Sequence, residues 1–339
     1  MAAQGRVSVT ASVVSGPPLR HIGSELTTFS WLAALLRAGF DARASIIQPE
    51  AGTLDGFTRE GIPVHHASTL VAEMPDVLIC HADYAYDARF AGQHRPGTKV
   101  VLVAHNSREN VEDGVRLTRH DLLVATSQAT LDELGAAGAL WPGVPTLVVH
   151  PPAPAVRVIN PDRRGDRFTL INLAPSKGSG LFLKLAQLMP DIRFLGIEGG
   201  YGGPATAQLA ALPNVRVEAH VPQAEMGDAA WRHTRVLLMP SAHESWGMVG
   251  AEALAHGIPV IASPTPGLIE NLGDAGVFID PADTAQWAAA IRRMTDPTVY
   301  AKSSARAASQ AASRPKESSQ LFVDAIRRLA DAPPADQRR

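Results

Sequence analysis

The chain of 339 residues has a single cysteine, Cys80, only five lysines, and no apolar run of membrane-spanning length. A lone cysteine excludes a disulfide framework and a cysteine-based metal site. A transmembrane helix needs roughly 20 consecutive apolar residues, so no span is expected. The 31 basic and 33 acidic residues nearly cancel, which leaves no overall electrostatic footprint for nucleic acid. No Asp-x-Asp occurs, so neither a metal–diphosphate site nor any other metal is expected. The opening MAAQGRVSVTASVVSG lacks the basic start and long apolar centre of a secretion signal, and a cytoplasmic location is the expectation. No strongly basic amphipathic helix stands out, so no membrane surface is expected as a partner.

What is present is a chain rich enough in apolar residues, 45%, to bury two ordinary domain cores. Short aliphatic runs alternate with helical periodicity. Strands are expected at 7–14, 42–47, 76–80, 99–104, 121–125 and 146–149. A helix is expected at 24–38, with Ser24 as its cap and Leu26, Phe29, Leu32 and Leu36 on one face. Most of these runs are too apolar for a half-exposed strand and suit a parallel sheet covered on both sides. The stretch 151–166, PPAPAVRVINPDRRGD, has no periodicity and reads as a linker. Alternation then restarts, with strands expected at 168–172, 192–197, 215–219, 236–239, 258–262 and 277–279. Three helices without intervening strands follow, at 283–294, 298–313 and 316–330, and the tail 331–339 is expected to be disordered. The expected architecture is α/β, with two doubly wound Rossmann-like domains at 1–150 and 167–314.

The segment with chemical content is Pro240–Asp280, PSAHESWGMVGAEALAHGIPVIASPTPGLIENLGDAGVFID. A strand ends at Pro240, a loop carries Glu244, and a helix begins near Gly247, with Glu252 between one and two turns inside. Ligands of open α/β sheets bind at the carboxyl ends of strands. The start of the following helix offers amide N–H groups and a positive dipole end to a phosphate. A carboxylate, which only accepts, suits the paired hydroxyls of a sugar. Two glutamates eight apart are a weak signal alone. The surrounding Pro-Ser, Glu-Ser-Trp-Gly, Glu-Ala-Leu-Ala, Gly-Ile-Pro-Val-Ile-Ala-Ser and Pro-Gly-Leu-Ile-Glu make it specific.

This segment resembles the signature of the retaining GT-B glycosyltransferases of the family 4 type. The resemblance covers the two glutamates, the strand after them and the turn with Glu270. It extends to Ala174, Pro175, Ser176, Lys177 and Gly178, which match that family's Lys-Gly loop. It implies two domains facing a cleft, with the last helix crossing back to the first domain. It also implies retaining transfer of a sugar from a nucleotide-sugar donor, UDP-linked by default, to a small-molecule or glycan acceptor, with no cofactor. By resemblance, Glu244 would bind hydroxyls of the donor sugar and Glu252 the ribose. Backbone amides of Gly247 and Met248 would meet the diphosphate, Lys177 would neutralise the leaving charge, and Val221 would hold the base through the main chain. In the first domain, Gly23 matches the glycine turn facing the diphosphate, and His105 matches a histidine near the transferred sugar. One position departs from the family: Asn172 stands where an arginine is usual, five residues before Lys177, and Arg20 is an alternative source of the missing charge. Pro264, Thr265, Pro266 and Gly267 replace the usual paired glycines.

Other features read as structural: His220, His243 and His256 lack metal-ligand spacing, the run 196–203 lacks a nucleotide-loop pattern, and Trp246 is as well suited to packing as to sugar contact. Two other functions remain open on the sequence alone. One is a nucleotide-sugar epimerase or hydrolase on the same fold, and the other is a two-lobed binding protein without catalysis.

Overall fold

The computed structural model describes residues 6–13, 23–46, 56–59, 61–66, 73–84, 97–152, 165–199, 205–222, 225–314 and 318–332. Arg20, most of the 151–166 linker, most of residues 83–96 and nearly all of the tail lie outside them. The chain divides into two compact units, Met1–Pro152 with Glu317–Arg339, and Ala153–Lys316.

The first unit runs β1 (Ser8–Val13), α1 (Gly23–Arg37), β2 (Asp41–Ile46), β3 (Phe57–Arg59), β4 (Ile62–His66) and β5 (Val77–His81). It continues with β6 (Lys99–Ala104), α2 (Glu109–Leu117), β7 (Leu122–Ala125), α3 (Gln128–Ala136) and β8 (Thr146–Val148). Its sheet has the order β3-β4-β2-β1-β5-β6-β7-β8. Every pairing is parallel except β3 with β4. Strands β5, β6 and β7 are buried along their whole length, as a sheet covered on both faces requires. On α1 the buried apolar residues are Phe29, Trp31, Leu32, Ala34 and Leu35, while Leu26 and Leu36 are half-buried. The buried stripe is therefore rotated from the one the leucine spacing suggested, and it includes Thr27 and Thr28, whose hydroxyls donate to Gly23 O and Ser24 O. Gly23 is the first residue of α1 rather than a residue ahead of a Ser24 cap.

The short hairpin β3–β4 was not expected. Pro63 interrupts the run Ile62–His66, and a proline ordinarily argues against a strand. Here Pro63 faces Thr58 of β3, and β4 joins β2 only from Val64 onward.

The second unit runs β9 (Arg167–Ile171), α4 (Ser179–Leu188), β10 (Phe194–Ile197), α5 (Thr206–Ala210), β11 (Val215–Glu218) and α6 (Met226–Ala229). Then come β12 (Thr234–Met239), α7 (Met248–Ala255), β13 (Val260–Ala262), α8 (Pro266–Leu272), β14 (Gly276–Phe278), α9 (Thr284–Arg293) and α10 (Pro297–Ala312). Its six strands are all parallel in the order β11-β10-β9-β12-β13-β14. The order reverses between β9 and β12, the kind of switch point where loops at the carboxyl ends part to admit a ligand. Helix starts carry their caps in the sequence. Asp283 accepts from Gln286 N, and Asp296 accepts from Thr298 N and Val299 N, each satisfying amides the helix leaves unpaired.

The last helix, α11 (Ser318–Asp331), belongs to the first unit. Phe322, Val323, Ile326 and Leu329 enter that unit's core beside β1, β2 and α1. The Phe322 ring stacks on Trp31 at 4.5 Å. Burying side chains of this size stabilises by about 1.5–3 kcal/mol each, so α11 is part of the first unit's core.

Candidate functional site

In the second unit, loops at the carboxyl ends of the adjacent strands β9 and β12 meet. After β9 comes a short turn, Pro175–Lys177, ended by Gly178 at φ 86°. A Cβ on Gly178 would sit 2.3 Å from Pro240 O, so only glycine allows the two loops this close. Ala242 N donates to Ser176 O at 3.0 Å. The result is a contact between side chains distant in sequence: Lys177 Nζ lies 2.6 Å from Glu244 Oε1, and Ser241 Oγ donates to the same oxygen at 3.1 Å. The carboxylate is largely enclosed and the ammonium about one-third exposed, with side-chain accessibilities of 13% and 31%. A charge-assisted pair of this kind holds both groups in one orientation.

Helix α7 starts beside this pair. Its preceding residue, Gly247, has φ 78°, and a Cβ there would meet Leu268 Cδ2 at 2.6 Å. Gly267 at the start of α8 is equally constrained, since a Cβ would lie 2.2 Å from Ser245 O and 2.4 Å from Glu244 O. The Pro-Thr-Pro-Gly that stands in place of paired glycines therefore keeps the one glycine at which backbone meets backbone. Glu252 lies in the second turn of α7 and is buried. Trp246 is 6% exposed and packs inside. Val221 follows β11 and is partly buried against the core around β12 and α7. The sequence-expected Glu244, Glu252, Lys177, Gly247, Met248 and Val221 all stand at or just beyond the carboxyl ends of the sheet.

Asn172 has a different task from a replaced cation. It follows β9 with φ 73°, the only non-glycine residue in the left-handed region among the described residues. Its Oδ1 accepts from Ala174 N at 3.1 Å, closing an Asx turn. Asparagine tolerates this conformation better than arginine does. Of the three histidines read as structural, His256 stacks on Trp231 with ring centroids 5.6 Å apart, and His220 is exposed. Among the described residues, no group of three or more His, Cys, Asp or Glu side chains is placed to hold a metal.

In the first unit, His105 follows β6 and His81 ends β5. Their rings meet edge-on at 4.5 Å, and His105 also stacks on Trp31 at 6.5 Å. His81 Nε2 lies 2.9 Å from Thr28 Oγ1. Because that hydroxyl donates to Ser24 O, it accepts here, which places the His81 proton on Nε2. Burial lowers the His81 imidazole to about 4. Burial, with His81 beside it, holds His105 well below the ordinary imidazole range. Both rings are neutral at pH 7, and His105 Nε2 has no hydrogen-bond partner among the described residues. Sequence reasoning singled out His105 and missed His81, although both are histidines at the carboxyl end of an apolar strand. It also missed Asn271, whose signal was a polar residue on the apolar side of α8 between Leu268 and Leu272. Gly23 opens α1, and the turn before it lies outside the described residues.

Residues 172–296 match a family model described as Glycosyl transferases group 1. In fold and in this matched segment the chain is similar to GT-B glycosyltransferases. A D-inositol 3-phosphate glycosyltransferase from a Nocardioides species is 31% identical over 241 residues, covering 67% of this chain and 47% of that protein. The chain spans roughly a third to three-fifths of the length of the first curated relatives it matches. Sucrose-phosphate synthase from Thermosynechococcus elongatus superposes with a TM-score of 0.79 at 15% identity, over 96% of this chain and 99% of that one. The pneumococcal O-GlcNAc transferase GtfA, solved with UDP and GlcNAc, superposes with a TM-score of 0.72 at 10% identity, over 96% of this chain and 100% of that one.

Proposed function

We propose that the protein transfers a sugar from a nucleoside-diphosphate sugar, with UDP as the nucleotide, to an acceptor hydroxyl with retention of anomeric configuration and without a metal ion. The observation that carries the reading is the Lys177–Glu244 pair beside the start of α7, formed from loops after adjacent parallel strands. An ammonium, helix-start amides and an enclosed carboxylate are the groups a diphosphate and a sugar require.

In this reading the bond from the anomeric carbon to the diphosphate oxygen breaks, and its electron pair stays on the leaving phosphate. Lys177 and the amides of Gly247 and Met248 face that growing charge. Glu244 accepts from sugar hydroxyls, Glu252 from the ribose hydroxyls, and main-chain groups at Val221 hold the base. The acceptor oxygen bonds on the face the diphosphate leaves, and its proton passes to a phosphate oxygen of the donor. In the first unit, the residues carried into this reading are neutral His105, a hydrogen-bonding group without charge, and Gly23. The UDP-bound neighbour of similar fold supports the choice of nucleotide, and the absence of Asp-x-Asp supports the lack of a metal.

The test is incubation with UDP-, GDP-, ADP- and TDP-sugars in excess EDTA, with acceptors that include D-inositol 3-phosphate. Product configuration is read by proton NMR. Retained transfer from a UDP-sugar in EDTA is expected. An isomerised or hydrolysed donor, an inverted product, or Mg²⁺-dependent turnover would each refute the corresponding part. In Glu252→Ala, UDP affinity should fall by about 1.5–3 kcal/mol, the worth of a charge-assisted hydrogen bond. Calorimetry showing unchanged UDP affinity would remove Glu252 from the ribose.

A further inference from the structure

At the Gly247 turn lies a polar chain that the proposed chemistry does not use. Arg314, just past the end of α10, donates from Nη2 to Asn271 O at 2.9 Å and also to Asn271 Oδ1. Asn271 is fully buried in α8. Its Nδ2 donates to Trp246 O at 2.6 Å and to Gly247 O at 2.9 Å. The guanidinium lies 5.7 Å from the Trp246 ring centroid, above its face. Among the described residues no carboxylate pairs with Arg314, and its Nε has no hydrogen-bond partner. Burial lowers this guanidinium to about 10. A charge kept under cover without a counter-ion, bonded only to one asparagine and one ring, is costly unless that arrangement serves the site.

Peptide geometry says what it serves. In a trans peptide the carbonyl and the N–H point in opposite directions. The Trp246 carbonyl shares a peptide with the N–H of Gly247, and the Gly247 carbonyl shares one with the N–H of Met248. By holding both carbonyls from behind, Asn271 orients both N–H groups the other way. A glycine at positive φ has no side chain to restrict its peptide planes; Gly250 N, donating to Gly247 O at 2.9 Å, also holds the Gly247 carbonyl, while Asn271 holds the Trp246 carbonyl as well. Arg314 in turn fixes the Asn271 amide. With Oδ1 and the main-chain oxygen both accepting from the guanidinium, Nδ2 is left to face the turn.

We infer that Arg314 is a positioning residue that acts through Asn271 to aim the Gly247 and Met248 amides at the donor diphosphate. This rests on the donor site proposed above and adds the element that pre-organises it. Amides aimed in advance need no reorganisation as charge develops, and that is the main source of electrostatic stabilisation in such sites.

The test uses the full chain carrying Arg314→Met, Arg314→Lys and Asn271→Asp. UDP affinity is measured by calorimetry, with GDP and ADP in parallel, and amide hydrogen exchange is followed across residues 245–251. Methionine can still cover Trp246 but cannot donate. Aspartate still accepts from Arg314 but turns an acceptor toward the two carbonyls. Both variants are expected to bind UDP about tenfold more weakly. Exchange should quicken at residues 246–250 while the rest of the second unit keeps its protection. A merely structural role would instead quicken exchange throughout the unit. Should either of these variants fail to fold, Arg314→Lys decides. It keeps the charge but not the planar fork, so a two- to threefold loss of affinity at unchanged Tm is expected, and identical affinity overturns the inference. Folded Arg314→Met and Asn271→Asp proteins with wild-type affinity and local exchange also overturn it. Wild-type protein without affinity for any of the three nucleotides would instead overturn the donor site beneath it.

Discussion

At the scale of single residues, the site depends on opposed charges placed so that neither can turn away. Lys177 donates to Glu244, so each holds the other in position before any phosphate or hydroxyl competes for it. Since leaving-group charge grows toward the transition state, Lys177→Ala should lower kcat more than it weakens donor binding. The loss is expected to be about two to three orders of magnitude, and steady-state kinetics with saturating donor would check it. Asn172→Arg should not rescue that variant, because arginine at φ 73° strains the backbone and loses the bond to Ala174 N. The buried histidines make a separate prediction. An imidazole lowered by folding gives stability that is full above about 6.5 and is lost as pH falls toward its folded value, because the unfolded chain takes up the proton first. For His81, lowered to about 4 by burial, the loss between those limits is about 3 kcal/mol. Urea midpoints of the first unit at pH 7 and pH 4.5 should therefore differ more in the wild type than in His81→Asn. The comparison between the two proteins is needed because burial raises the nearby Asp83 carboxyl, and that group titrates in the opposite sense.

At the scale of elements, three glycines allow close approach around the donor loops, and they are needed in two ways. Gly178 and Gly247 need a left-handed turn as well as space, whereas Gly267 needs space alone. Gly267→Ala would thus force α8 off the Glu244–Ser245 backbone, at an expected cost of about 1–3 kcal/mol together with a fall in kcat. Denaturant titration and kinetics on the same variant check both parts, and wild-type values would mean the loop yields freely. Much of this region was legible beforehand, because strand, loop glutamate, glycine and helix lie consecutively in Pro240–Asp280 and each obeys local rules. The helix start at Gly247 and the position of Glu252 in α7 agree with the spacing. The Arg314–Asn271 support was not legible as a pair, since it joins residues 43 apart: Asn271 stands out as a polar residue on the apolar side of α8, but nothing local points from it to Arg314. The hairpin β3–β4 escaped notice for the opposite reason: Pro63 signals a break, and only pairing with β2 and β3 makes it a strand.

At the scale of the whole molecule, the first unit is assembled from two separated stretches of chain. Its core includes α1, the strands around it, and α11, which follows the entire second unit. Phe322 lies against Trp31, and Trp31 against His105, so the last helix also braces the histidine pair. Phe322→Ala should destabilise the first unit by about 3–5 kcal/mol. The second unit's own unfolding transition should change little, as scanning calorimetry on the full chain would resolve. Equal loss in both transitions would show that the units unfold as one.

The position of α11 has a consequence for synthesis. On a ribosome, the strands of the first sheet emerge early, but the helix that covers Trp31 is among the last segments of that unit to be made. At about 5–20 residues per second, the second unit takes on the order of ten seconds or more to pass. Through that interval Trp31 and its apolar neighbours lack the cover that α11 gives them in the folded unit. The second unit is continuous in sequence and needs nothing made after Lys316, so it can close first. A unit that is begun first but sealed last offers a defined window to holding chaperones.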